Sequence, residues 1–332
     1  MSSVAEAPRT RSQWLTASGW RRLFRDRPIV PLLVLLGILV VVSELVRPGL
    51  VSTQWLGTIT RAAVPLAILA GCQTLTMLTG GIDLSVGAVA SMTGFVLATL
   101  VGGPGIGVGI IVALVAAALA GLATGIGVGV FRVHPLIMSL GMGLVVLGLA
   151  NVWQLQMVQT GSGVPPGLRT LGSGTFFEVV PYSLVVFLPL AALILLGLRR
   201  TGYGRLLYAV GDNPIAARLS GARVWQVLVL LYVISAVLAG IAGFLISGLT
   251  NVASVTLADS YVLPSVAAAV IGGTSIMGGR GGFGGTVVGA LILTVVGSLL
   301  TSLGYPESVR QVLYGAIIVA VAAAYTRVTG ET

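Results

Sequence analysis

The chain has no lysine, one cysteine and one histidine in 332 residues. The absence of lysine excludes a phosphate-binding loop of the G-x-x-x-x-G-K-[ST] type and a lysine Schiff base. The single Cys72 excludes an intramolecular disulfide and a cysteine-cluster metal site. His134, standing before Pro135, leaves too few soft ligands for a zinc centre and reads as a loop residue, not a proton carrier. Charge of either sign is scarce: 8% of residues are charged, against roughly a quarter in soluble domains. So few charges cannot solvate a water-exposed surface. With 56% hydrophobic residues and a mean hydropathy of +1.05, the composition is that of an integral membrane protein. Aromatics are sparse, and glycine is abundant at 47 residues. Glycine is enriched in membrane helices because it lets backbones approach closely.

A helix needs about 20 apolar residues to cross the hydrocarbon core. The hydropathy pattern predicts ten spans: 29–46, 62–79, 84–101, 105–131, 136–155, 180–198, 224–249, 262–277, 281–303 and 310–326. The eighth is short and Gly-rich, which leaves a re-entrant segment open. All 18 positive charges are Arg, and the net charge is +9. They flank apolar runs, so they report topology and not a nucleic-acid surface. With the N-terminus in the cytoplasm and alternating spans, 14 arginines fall inside (9, 11, 21, 22, 25, 27, 132, 199, 200, 205, 218, 223, 280 and 327). Four, Arg47, Arg61, Arg169 and Arg310, fall outside. This bias supports both termini inside; nine spans would place Arg327 outside.

The expected organisation is a basic cytoplasmic segment 1–28, a polytopic membrane domain 29–326 with a cytoplasmic loop 202–221, and a cytoplasmic tail 327–332. Residues 1–28, with Trp14 and Trp20, read either as a helix on the membrane surface or as a free tail. No small-residue cleavage site follows the first apolar run, so a cleaved signal peptide is not expected. Trp55, Trp153 and Trp225 fall at predicted span ends, where indole suits the interface. Ala113, Ala117, Gly121, Gly125 and Gly129 share one helical face, as do Ser235, Ala239, Gly243 and Ser247. Such faces allow close helix contact, within the chain or between subunits. LAGLATG (119–125) and LAGIAG (238–243) are alike and run oppositely across the membrane, as in the inverted repeats of transporters.

Three stretches carry mechanism. In GGIDLSVGAVAS (80–91), Asp83 is placed at the cytoplasmic mouth of the third span. It reads as an N-cap after a Gly80–Gly81 turn, a role compatible with positioning a gate. In GYGRLLYAVGDNPIAARLSG (202–221), Asn213 and Pro214 predict a helix start and Gly221 its stop. Between them lies about two turns of helix, with Ile215, Ala216 and Leu219 on one side and Arg218 exposed. Alone it is too short to be stable; it is either a partner's docking element or a linker resting on the membrane. In IGGTSIMGGRGGFGGTVVGA (271–290), GRGGFG matches G-x-G-x-x-G but follows no strand, so a broken helix lining a cavity is the better reading. Gly281, Gly285 and Gly289 continue as a small-residue face. Polar residues inside spans are few: Gln73, Thr74 and Thr76 in the second, Asn151 and Gln154 in the fifth. They bind a neutral solute or tie helices together.

Together GGIDLSVG, GRLLYAVGDNPIAARLSG and VIGGTSIMGGRGG resemble the hallmark segments of the membrane permeases of bacterial ATP-binding-cassette sugar importers. The ribose, xylose, arabinose and galactose permeases are the nearest group, and the resemblance runs from about residue 30 to 326. One departure is ADSYVLPSVAA at 258–268, where ribose-type members more often have an acidic YELDAIAA-like stretch; this touches the identity of the sugar. The resemblance implies an all-α, type II-like importer permease of about ten transmembrane helices, arranged as two inverted halves if the weak repeat is genuine. It implies a multi-pass protein of the bacterial inner membrane that imports a neutral monosaccharide by alternating access, as a homodimer or heterodimer within membrane lipid. ATP and Mg would bind a separate cytoplasmic ATPase, with no cofactor on this chain, and an extracytoplasmic sugar-binding protein would deliver substrate. No nucleic acid is implied. The implied coupling residues are Arg205, Asp212, Asn213, Ile215, Ala216, Arg218 and Leu219. The implied path or gate residues are Gln73, Asp83, Ser85, Asn151, Gln154, Thr274 and Ser275.

Two other readings of function remain at this point. A nucleoside permease of related sequence shares the same architecture. An ion-coupled secondary transporter would need titratable groups at depth, whereas Glu44, Asp83 and Asp259 all fall near predicted span ends. A membrane enzyme lacks any nucleophile–base pair or metal cluster to start from.

Overall fold

The computed structural model describes residues 29–101, 105–157, 163–177 and 179–329. The predicted segment 1–28, with its two tryptophans, lies outside the described residues, as do 330–332; the stretch predicted as tail from 327 is helical to Thr329. The helices are α1 (Ile29–Val46), α2 (Thr53–Met77), α3 (Val86–Leu100), α4 (Ile106–Gly129), α5 (Pro135–Met157), α6 (Pro166–Ser173) and α7 (Ser183–Arg200). They continue with α8 (Gly202–Asp212), α9 (Pro214–Leu219), α10 (Val224–Thr250), α11 (Val262–Ile271), α12 (Phe283–Ser302) and α13 (Glu307–Thr329). Before α7, β1 (Thr175–Phe176) and β2 (Val180–Pro181) form a small antiparallel pair. The fold is an all-α membrane bundle in which each predicted span has a corresponding helix.

Among the described residues, seven helices, α1, α2, α4, α5, α7, α10 and α12, are long and apolar enough to cross a membrane. Two counterparts of predicted spans are short. The 10 residues of α11 extend about 15 Å, half the hydrocarbon thickness, and the 15 residues of α3 about 22 Å. The eighth predicted span, 262–277, is therefore half helix and half unwound chain. Glycine ends the helix: Gly272 N–H bonds back to the Ala268 carbonyl, and Gly273, at φ +87°, donates to Val270.

Helix α2 is the axis of the bundle. Every residue from Ala63 to Met77 is buried, and α7, α10, α11 and α12 surround it. It begins earlier than the hydropathy predicts because the Ser52 side chain caps it, accepting from Trp55 N–H at 3.2 Å. Trp55 stands in the first turn of α2, at a span end as expected, but it is buried against protein and donates its indole N–H to Ser298 at 2.9 Å. Trp153 is held by Thr99 at 3.0 Å; Trp225 is half-exposed, in the first turn of α10. Both small-residue stripes pack inside the chain. A Cβ on Gly121 would sit 2.5 Å from the Tyr232 carbonyl, and one on Gly125 2.7 Å from the Val229 Cα, so α4 and α10 touch backbone to backbone, antiparallel. The Gly243 stripe meets α3 at Ala90 and Thr93. Gly285 and Gly289 lie against Gly272 and Ala268 of the α11 hairpin.

Candidate functional site

Three stretches far apart in the chain meet at one end of the bundle: the α2–α3 segment 78–85, the end of α8, and the α11–α12 segment 272–282. Gly279 N–H donates to the Leu78 carbonyl at 3.0 Å. Gly211 of α8 has no room for a side chain; a Cβ there would strike the Leu78 carbonyl and lie 2.6 Å from Gly279 N. Gly278, at φ +93°, is wedged between Gly211 and Gly80, and Gly279, at φ +69°, lies on Asp212. These φ values lie where side chains are rarely tolerated, so glycine serves both the turn and the close approach. Unwound backbone of this kind is tolerated at membrane depth where protein encloses it.

Side chains tie the junction together. The Tyr208 hydroxyl of α8 donates to the Gly281 carbonyl at 2.9 Å. Burial holds this phenol above its ordinary pKa, against the opposing charge of Arg199, so it stays a proton donor at neutral pH. Ser275 N–H donates to the Arg280 carbonyl at 2.9 Å, closing the 275–280 turn. Thr274 is buried beneath Gly281, and its hydroxyl has no hydrogen-bond partner among the described residues.

Asp83 differs from its predicted place. It is only 2% exposed, enclosed by α2, α3, α5 and α10 instead of lying at an open mouth. Nor does it cap α3: the N-cap is Ser85, which makes no side-chain cap bond. One Asp83 oxygen accepts from Ser85 N–H at 3.0 Å and from Ser85 Oγ at 2.6 Å; the other accepts from Ser235 Oγ of α10 at 3.0 Å. The Gln73 amide grips the Asp83 backbone from α2, donating to its carbonyl at 2.8 Å and accepting from its N–H at 3.2 Å. Ser139 of α5 accepts from Leu84 N–H at 3.0 Å. The reason is geometric. The chain unwinds before α3, so the acid bends inward and reaches a hydroxyl 152 residues away. Burying a polar group without partners costs a few kcal/mol, and three donors here offset that cost. Asp83 does stand just before α3, near a span end as expected, but it is enclosed by protein and not open at the surface.

The predicted polar residues form separate groups. Gln73, Asp83 and Ser85 are together; Thr274 and Ser275 belong to the adjoining junction. Asn151 is exposed on α5 and bonds its own helix at Leu147, and Gln154 is half-buried beyond it. Thr74 ties α2 to Thr286 of α12 at 2.6 Å and Thr76 bonds within α2, so both serve packing. Loop 202–221 is two helices. Asn213 caps α9 as predicted, accepting from Ile215 and Ala216 N–H at 3.0 and 2.9 Å, and Gly221, at φ +91°, ends it. Ala217 is the residue that packs inward. Ile215 and Leu219 are 68% and 84% exposed, with Ala216, Arg218, Arg205 and Asp212 also at the surface.

Sequence reasoning missed Ser139, Ser235 as the acid's partner, and a cavity at the other end of the bundle. That cavity, about 470 Å³, is lined by Thr58, Ser260, Tyr261, Thr294, Ser298, Thr301, Glu307 and Tyr314, among others. The i, i+4, i+7 spacing of Thr294, Ser298 and Thr301 was the legible signal for it.

Comparison with known proteins agrees with this architecture. The chain is 33% identical to the ribose import permease protein of Bacillus subtilis (strain 168), over 85% of this chain and 87% of that one. It is 35% identical to a probable ABC transporter permease protein of Escherichia coli (strain K12), over 87% of each. It is 31% identical to the fructose import permease protein of Rhizobium meliloti, over 87% and 82%. No solved structure matches the chain. The family model described as "Branched-chain amino acid transport system / permease component" matches residues 56–322, spanning the junction, the acid and both short helices. The chain therefore belongs to this family of transport permeases and is a multi-pass membrane protein.

Proposed function

We propose that the chain forms the translocation path for a neutral monosaccharide in an ATP-binding-cassette importer of a bacterial inner membrane. The names of its relatives support a sugar over an amino acid. A cavity at the end opposite the junction, where hydroxyls of Thr58, Ser260, Thr294, Ser298 and Thr301 stand beside apolar side chains and the Glu307–Arg310 ion pair, offers hydrogen bonds to a polyol. ATP and Mg belong to a separate cytoplasmic ATPase, a binding protein supplies substrate outside, and two permease copies complete the pore. Both termini lie in the cytoplasm, in keeping with the arginine distribution.

The observation that carries the mechanism is the contact of Gly211 and Asp212 with Leu78 and Gly279. Helix α9 offers Ile215 and Leu219 to a cleft of the ATPase, alongside Arg205, Asp212, Asn213, Ala216 and Arg218. Movement of α9 reaches α8 directly and, through its glycine seat, both unwound segments and their short helices α3 and α11. Asp83, Ser85 and Gln73 hold one of these segments; Thr274 and Ser275 shape the other. Asn151, exposed on α5, and Gln154, half-buried beyond it, are the further polar groups assigned to the path. The binding protein biases the equilibrium by its differential affinity for the outward-open state.

The test is ATP-driven uptake of ribose, fructose and leucine into liposomes holding the permease, its ATPase and its binding protein. Sugar uptake is expected, and Ile215→Asp with Leu219→Asp should abolish it while ATP hydrolysis continues. Uptake by the permease alone under a proton or sodium gradient, or uptake unchanged in the double variant, refutes the reading.

A further inference from the structure

Between the end of α4, helix α9 and the start of α10 lies an open recess of about 630 Å³. Arg132, Arg218 and Arg223 all line it, together with Trp225 and the apolar side chains of Val130 and Leu228. Three separate elements supply the three guanidinium groups. Arg132 follows α4 in a left-handed conformation, φ +57°, Arg218 belongs to α9, and Arg223 precedes α10. The ion pair found among the described residues joins Arg310 to Glu307, elsewhere in the molecule; among those residues the arginines of the recess have no carboxylate partner. All three are exposed. Trp225 is half-exposed, and Val130 and its neighbour Phe131 are exposed apolar side chains. The recess thus combines unneutralised positive charge, an indole and a greasy margin at the end of two membrane helices.

We propose that this recess binds the phosphodiester headgroup of an anionic glycerophospholipid of the cytoplasmic leaflet. Guanidinium groups pair with phosphate oxygens through two parallel N–H bonds, which a zwitterionic headgroup accepts less well because it carries its own cation. Indole sits at headgroup depth, and basic pockets between membrane helices on the cytoplasmic side suit such lipids. The apolar margin takes the glycerol and the first acyl carbons. The proposal rests on the cytoplasmic orientation given above. Because Arg218 lies on α9, a bound lipid touches the element proposed to dock the ATPase, so membrane charge would bear on coupling.

Native mass spectrometry of the full chain in detergent, titrated with phosphatidylglycerol, phosphatidylcholine or inorganic phosphate, tests it. Phosphatidylglycerol should be retained over phosphatidylcholine, and Arg132→Gln with Arg223→Gln should cut that retention about tenfold or more, given the charge removed. Arg200→Gln, at the end of α7, should leave it unchanged, and Arg223→Gln alone should show a partial loss if the double variant folds poorly. Equal retention of both lipids, displacement by inorganic phosphate at equal concentration, or full retention in the double variant overturns the proposal. So does intact retention with weakened co-purification of the ATPase, which assigns the arginines to a protein. Ser220→Cys reads orientation independently, since Cys72 is buried. Labelling by an impermeant maleimide only from the cytoplasmic side supports the leaflet assignment; labelling from outside overturns it and the orientation, whatever lipid binds in detergent.

Discussion

The α4–α10 interface and the junction of α8 with the two unwound segments both depend on glycine, for opposite reasons. Along α4, Gly121, Gly125 and Gly129 are ordinary helical residues whose missing side chains let two long helices lie backbone to backbone. At the junction, Gly80, Gly278, Gly279 and Gly281 have positive φ, and the chain around them is not helical. The first arrangement is regular and repeats its contact every turn, so it resists relative movement. The second is a set of single contacts between short segments, each free to change φ and ψ without losing a helix. A permease needs both: a stiff wall, and a place where motion enters.

That contrast can be broken from either side. The largest effect is expected for Gly121→Val, which forces atoms into the Tyr232 carbonyl and the Ala236 side chain. Overpacking of about 3 kcal/mol should remove folded protein from size-exclusion profiles. Gly211→Ala meets backbone at Leu78 and Gly279. It should lower ATP-driven uptake about a hundredfold, some 2.7 kcal/mol in rate terms, with a smaller loss of thermal stability than Gly121→Val. If Gly211→Ala transports normally, the junction is a passive contact. Asp83→Ala strands the Ser235 and Ser85 hydroxyls and should cost about 2 kcal/mol in a detergent melt. Asp83→Asn, which keeps an acceptor for Ser85, should lose less; equal melts for both and wild type would deny the carboxyl a structural part. The smallest effect is expected for Thr74→Val, which removes the α2–α12 bond to Thr286 at about 0.6 kcal/mol. A loss as large as that of Asp83→Ala would mark α2–α12 as part of the moving region.

Some of this was legible in the residues alone. The Asn213–Pro214 start and Gly221 stop of α9 depend on neighbours within a few positions, and both stand as read. The four-residue spacing of Ala113 to Gly129 announced close packing, though not whether it lay within the chain. The span-end position of Trp55 was legible, but its burial was not, because its hydrogen bond to Ser298 spans 243 residues. Asp83 was misread for the same reason: a cap is local chemistry, whereas Ser235 and Ser139 come from other helices.

The sequence by itself determined the solvent, the ten apolar segments and the points where helices must stop. Those properties follow from hydropathy and from φ restrictions that act residue by residue. Only the tertiary structure decided that three broken stretches share one junction, that the acid is enclosed, and that arginines from three elements face one recess. Those facts depend on which backbones can approach one another in three dimensions, and no local preference encodes the partner.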